Sequence, residues 1–317
     1  YLPGYLQVWY QSDGGLVTIL DKLFRPENKR YVKYYLFTRK NPECFQELKT
    51  NETGRLRLSN FSPYWPTRII VHGWRNNVYS DMNGLIKAAY LKKGNFNVIV
   101  LDWNSVALYV DFYETKRLIF EVGRDLAEFA LFLHTAASVS FNNIYLIGHD
   151  LGVYIAGSAG IQSQIKFNTI FGLDPAEANY SAARATSTLF AANYVESIQT
   201  DMGLLGINYS IGHASFFPNY GYTQKGCSLY ASCSHTRAYV YFAESINSDL
   251  GFWGAPCGGM EEIYERKCRI RGRKQLMGGE PSAKKSGIFY LPTNNQKPFK
   301  LSCFLPESLK ETTSSKT

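Results

Sequence analysis

Ile147-Gly148-His149-Asp150-Leu151-Gly152 decides the reading of this chain. Asn143-Ile144-Tyr145-Leu146-Ile147 before it reads as a buried strand. Val153-Tyr154-Ile155-Ala156-Gly157-Ser158-Ala159-Gly160 after it is rich in small residues and reads as a helix packed close to a sheet. A strand, a tight turn flanked by glycines and a helix form the setting of a G-x-S-x-G nucleophile elbow. Gly148 and Gly152 permit the strained backbone and the close approach of helix to strand. The residue between them is Asp150 and not serine, so the geometry is expected to be kept while the attacking atom has changed.

Outward from this turn, strands and helices alternate. Thr67-Arg68-Ile69-Ile70-Val71-His72-Gly73-Trp74 reads as a strand ending in a glycine turn, and Asp81 to Lys92 as an amphipathic helix with Ser80 at its N-cap. Asn97 to Trp103 is a strand, and Val122 to Ala137 carries apolar residues at helical spacing. Thr169–Asp174 and Tyr194–Thr200 are further strands. Leu16–Leu20 and Lys33–Thr38 read as early strands, and Gly287–Leu291 as a late one. Alternating buried strands and helices predict a mostly parallel central sheet with helices on both faces. Beyond Ser245 the pattern dissolves into Gly-, Cys- and Arg-rich connections.

The chain has 317 residues, 45% of them hydrophobic, enough for a large core in a single α/β domain. We assign residues 1–306 to that domain and 307–317 to a polar tail. No apolar run reaches the roughly 18–20 residues of a membrane span. The first residue is Tyr1, which fits removal of a signal peptide. Six cysteines, with the close pairs Cys227/Cys233 and Cys257/Cys268, point to three disulfides and an oxidising compartment; Cys44–Cys303 follows only by elimination. Buried thiols are the alternative, and no C-x-x-C spacing supports zinc. Sequons at Asn51, Asn60, Asn179 and Asn208 fit an extracellular location.

Net charge is +8. Arg266, Lys267, Arg269, Arg271, Arg273 and Lys274 form a dense basic stretch; were it extended, Arg269, Arg271 and Arg273 would share a face. Such a patch suits an anionic glycan or an anionic membrane surface, and equally a solvated loop. No recognition motif accompanies it, so nucleic acid is not a partner we expect.

With these elements placed, the chain resembles the pancreatic-lipase-like family of secreted α/β-hydrolases, insect phospholipase A1-like members above all. The resemblance runs from about Thr38 to Phe304, through Arg68–Trp74, Val100-Leu101-Asp102-Trp103, Ile147–Gly152 and Gly172-Leu173-Asp174-Pro175-Ala176. It continues through Gly226-Cys227, Cys233-Ser234-His235-Thr236-Arg237-Ala238 and Phe289-Tyr290-Leu291-Pro292-Thr293-Asn294. It implies an α/β-hydrolase fold with a triad in the order Ser, Asp, His, whose slots hold Asp150, Asp174 and His235. The oxyanion-hole amides fall on Trp74 and Leu151. A lid falls on Ser228, Leu229, Tyr230, Ala231 and Ser232, too short to close over an acyl chain as a long lid does. No C-terminal β-sandwich, cofactor or metal is implied. Ala178, Gln199 and Ser215 stand where a proline, a His and an Asp are usual.

The leading expectation is a secreted lipase homologue without serine-esterase activity that holds a lipid or hydrophobic ester, or serves as a storage or matrix protein. Yolk proteins of higher flies, which resemble lipases and lack the serine, are the precedent. One alternative is an aspartate-nucleophile hydrolase of epoxide-like electrophiles, whose elbow can read Gly-His-Asp-x-Gly and which needs donors such as Tyr109, Tyr113 or Tyr209. The other is residual phospholipase A1 or triacylglycerol lipase activity, with Asp150 as a base for water.

Overall fold

In the computed structural model, residues 32–107, 112–177, 190–227, 231–269 and 272–301 are described. Val32–Thr317 cluster as one compact unit. The strand expected at Leu16–Leu20 and the boundary expected at 306/307 lie outside the described residues.

Eleven strands form one sheet: β1 (Lys33–Phe37), β2 (Gln46–Leu48), β3 (Thr67–Val71), β4 (Asn97–Asp102), β5 (Ile144–His149), β6 (Phe167–Leu173), β7 (Ala192–Ile198), β8 (Ala214–Pro218), β9 (Phe252–Cys257), β10 (Gln275–Met277) and β11 (Gly287–Leu291). Their order is β10-β9-β11-β8-β7-β6-β5-β3-β4-β1-β2. From β4 through β3, β5, β6, β7 and β8 to β11 every neighbour is parallel. The margins are antiparallel, β1 against β4 and β2 on one side, β9 against β11 and β10 on the other. Every residue of β3, β4 and β5 is buried. Strands covered on both faces read as near-continuous apolar runs, which is why these three were legible.

Among the described residues the longest helices are α1 (Asp81–Lys93), α2 (Phe112–Ala137), α3 (Gly152–Gln162) and α4 (Ala231–Ile246). α1 packs on α4, and α2 on α3. Met82, Ile86 and Tyr90 of α1 and Tyr241 and Phe242 of α4 share one core with Ile147 and Phe171 of the central strands. Ser80 does occupy the N-cap of α1, but its hydroxyl caps nothing; it accepts instead from Asn77 N–H at 3.0 Å. α2 starts ten residues before the Val122 expected from periodicity, because its first turns carry Glu114, Lys116 and Arg117 amid the apolar residues. Four strands escaped the sequence reading. β2 and β10 are three residues long, β8 ends on Pro218, and β9 contains Gly254 and Pro256, residues that ordinarily argue against a strand.

Two disulfides, Cys227–Cys233 and Cys257–Cys268, close as the spacing suggests. Cys44 carries an exposed thiol with no disulfide partner among the described residues; Cys303, its partner by elimination, lies outside them. None of the described residues of the basic stretch lies in a strand. Arg266 has a left-handed φ of 55° and places its guanidinium 4.7 Å from the centre of the Tyr222 ring, and Arg271 lies outside the described residues. Asn51 and Asn208 are exposed; Asn60 is half-buried and its side-chain amide donates to Asn41, while Asn179 lies outside the described residues.

Candidate active site

Three parallel strands deliver the site at their carboxyl ends, where open α/β sheets ordinarily hold their ligands. Asp150 follows β5 directly, Asp174 follows β6, and Trp74 lies three residues beyond β3. His235 comes from the first turns of α4.

The elbow geometry is present. Asp150 sits at φ 56°, in the left-handed region, between β5 and α3. A Cβ added at Gly148 would lie 2.5 Å from the carbonyl oxygen of Gly152, and one added at Gly152 would strike the carbonyl oxygen of Val71 on β3. Both glycines are therefore required by close contact, while the left-handed strain of the turn falls on Asp150. Asp174 is likewise held at φ 41°.

The structure brings Asp150, His235 and Asp174 together. His235 Nδ1 lies 2.6 Å from Asp174 Oδ2, and Nε2 lies 3.5 Å from Asp150 Oδ1. Asp174 is anchored through its other oxygen, which accepts from Thr200 N–H at 2.6 Å and Asp201 N–H at 3.0 Å. Asp150 Oδ2 accepts from Trp74 N–H at 2.7 Å, and the N–H of Leu151 adds a smaller interaction favouring the ionised form. The Trp74 amide, one of the two expected to face an oxyanion, thus donates to the chain's own carboxylate. Gly73 makes this possible: a Cβ there would fall 2.6 Å from Asp150 Oδ2.

The charge states follow. Burial alone would depress the basicity of His235, but hydrogen bonds and charge from Asp150 and Asp174 more than reverse it and raise the imidazole to about 10. Burial would raise the Asp150 carboxyl; the hydrogen bond and charge of His235 overcome this and leave it below its ordinary value. The cluster is carboxylate–imidazolium–carboxylate. His149 behaves oppositely. Burial, then the His235 cation, push it down to about 3, so its ring is neutral and its Nε2–H donates to His235 carbonyl oxygen at 3.2 Å.

Asp201 is a site residue that the sequence reading missed. It is buried, its amide holds Asp174, and burial followed by the Asp174 charge lifts its carboxyl to about 6. The available signal was its place just beyond β7, matching Asp150 beyond β5 and Asp174 beyond β6. Asp174, Asp201 and His235 lie close enough to hold a cation. Their fit is poor, because His235 Nδ1 is committed to Asp174 and the ring is protonated.

A cleft of about 750 Å³ opens over Asp150 and His235. Among the described residues its walls include Tyr79, Met82, Ala176, Leu204, Leu205 and Tyr239, with Arg75, Asp81 and Glu177 among the polar ones. Of the expected lid, Ser232 lines the cleft; Ser228, Leu229 and Tyr230 lie outside the described residues, and Ala231 begins α4. Tyr209 packs with Val153, Ile207 and Ile211, away from the cleft lining, and the side chains of Tyr109 and Tyr113 lie outside the described residues.

A central parallel sheet, a strained turn between strand and helix, and acid and imidazole from later elements define an α/β-hydrolase. The description "Lipase" matches residues 13–299, and the chain belongs to that family. It is 31% identical over 269 residues to pancreatic triacylglycerol lipase of Mus musculus, covering 75% of this chain and 56% of that one. The human pancreatic triacylglycerol lipase is 29% identical over 263 residues, with the same shares covered. Inactive pancreatic lipase-related protein 1 of Mus musculus is 29% identical over 267 residues, covering 75% of this chain and 55% of that protein. The chain thus spans little more than half the length of these relatives. A solved α/β-hydrolase from a deep-sea metagenome library superposes with a TM-score of 0.33 at 17% identity, over 52% of this chain and 65% of that one, and carries no argument.

Proposed function

We propose that this lipase-family chain is a secreted protein without serine-esterase activity, whose cleft holds a hydrophobic ligand. The observation that carries the reading is the Asp150 carboxylate, ionised and held by the Trp74 amide at 2.7 Å.

In a serine hydrolase the imidazole takes a hydroxyl proton, the alkoxide attacks, and main-chain amides hold the oxyanion. Here each part is altered. A carboxylate attacking an ester would form a tetrahedral intermediate able to expel either carboxylate or alkoxide. Carboxylate is the better leaving group by roughly ten pKa units, so the intermediate reverts. His235 is already protonated near neutral pH and accepts no further proton. The Trp74 amide, one of the two that would stabilise an oxyanion, is engaged by Asp150. The two disulfides support an oxidising destination.

Asp150→Ser tests the reading. The variant is expected to hydrolyse p-nitrophenyl butyrate at least about a thousandfold faster than the native protein, the order lost when a triad member is removed. Native turnover equal to that of the variant overturns the proposal. A second reading has one observation in its favour: Asp150 Oδ2 is held while Oδ1 remains toward His235, which suits attack on saturated carbon. Incubation with an epoxide in ¹⁸O-labelled water, followed by mass spectrometry of Asp150, distinguishes it. Label in the carboxylate establishes an alkyl-ester intermediate.

A further inference from the structure

The polar head that the cleft accepts can be inferred from the same floor, and this inference rests on the ligand-binding reading above. In a site built for acyl transfer, main-chain N–H groups wait for an ester carbonyl or a carboxylate oxygen. Here Trp74 N–H already donates to Asp150 Oδ2 at 2.7 Å, and Leu151 N–H favours the same ionised group. An incoming ester or fatty acid finds the Trp74 donor taken, and its oxygen meets a fixed negative charge. His235 offers no acceptor either, since both ring nitrogens face carboxylates.

What the floor does offer is acceptor capacity. An ionised carboxylate has roughly four acceptor positions, of which Trp74 N–H takes one and the His235 ring faces another. The Asp150 side chain keeps 14% of its surface open. Charge agrees with this at two levels. On the floor two carboxylates, Asp150 and Asp174, face one imidazolium, His235. The walls carry two carboxylates, Asp81 and Glu177, and one guanidinium, Arg75. Each level is net negative, although the whole chain carries +8. Leu204, Leu205 and Tyr79, all exposed, add apolar surface to the cleft.

We propose that the cleft binds a single-chain amphiphile whose head donates hydrogen bonds, a long-chain ammonium foremost, with its N–H on the Asp150 carboxylate, and that it discriminates against fatty acids and their esters. The overall positive charge attracts anions at long range. A preference for a cation therefore has to come from the cleft itself.

Three ten-carbon probes separate the possibilities: decylammonium, decan-1-ol and decanoate, titrated calorimetrically into the native protein, Asp150→Asn and Asp150→Ser at pH 7. Decylammonium is expected to bind the native protein about tenfold or more tighter than decanoate, with decanol between them, tenfold corresponding to ~1.4 kcal/mol. Asp150→Asn should weaken decylammonium by a similar factor and decanol little. Asp150→Ser frees the Trp74 amide, removes the negative charge and should bring decanoate affinity up. Native decanoate affinity equal to that of decylammonium overturns the head-group assignment while ligand binding itself stands, as does an unchanged ranking in Asp150→Asn. No heat with any probe overturns both. The ranking on the native protein decides by itself if either variant fails to fold.

Discussion

Asp150, His235 and Asp174 form a proton-holding cluster whose titration can be followed. His235 is raised from an ordinary value near 6.5 to about 10 in the folded chain. A group raised on folding stabilises the fold fully below its unfolded value, and that contribution fades as pH climbs through the folded one. The native protein is therefore expected to lose a His235-dependent part of its stability between about pH 6.5 and 10. Urea midpoints for native protein and His235→Gln across that window measure it: the native decline should be steeper. NMR should show the His235 ring protonated at pH 8, and Asp150→Ser should lower its titration by removing one of its two carboxylates. Of this cluster, Asp150 was legible because glycines bracket it within five residues. Asp174 and His235 became candidates only through the resemblance, since an Asp-Pro-Ala or a Ser-His by itself is an ordinary turn or cap. Asp201 went unread because the neighbour that gives it meaning lies on another strand.

At the scale of elements, β5, the turn at Asp150 and α3 behave as one unit gripped by β3. Gly152 touches the Val71 carbonyl, and Asp150 N–H donates to the Leu173 carbonyl of β6 at 3.2 Å. Gly152→Ala forces α3 away from β3 and should cost about 1–3 kcal/mol, the range for overpacking a tight site. Denaturant unfolding reads this cost. In an Asp150→Ser background the same change should also lower any esterase activity gained, because the turn is displaced. The central strands were legible through their unbroken apolar runs. β9 was not, because Gly254 and Pro256 mark it as a break when read locally. It holds its place through pairing with β11 on one side and β10 on the other.

For the whole molecule, a buried ion pair ties the sheet's centre to a distant connection. Arg68 of β3 meets Glu280 at 2.7 Å across 212 residues of sequence, with side chains 3% and 7% exposed, and its guanidinium lies 3.7 Å from the centre of the Tyr145 ring. Removing one member of such a pair leaves a buried charge uncompensated. Glu280→Ala is therefore expected to cost about 3–5 kcal/mol, read as a drop in the guanidinium unfolding midpoint; a cost below 1 kcal/mol would show that water reaches Arg68. Periodicity reports which residues are buried, and it says nothing about which distant acid neutralises a buried arginine.

The sequence by itself determined the fold class, the strained aspartate turn and the two short disulfide loops, since each depends on residues close together in the chain. Only the tertiary structure decided where the Asp150 carboxylate goes. Its partners Trp74, His235 and, through His235, Asp174 arrive on three separate elements, and their convergence places the aspartate carboxylate between the Trp74 amide and the His235 ring.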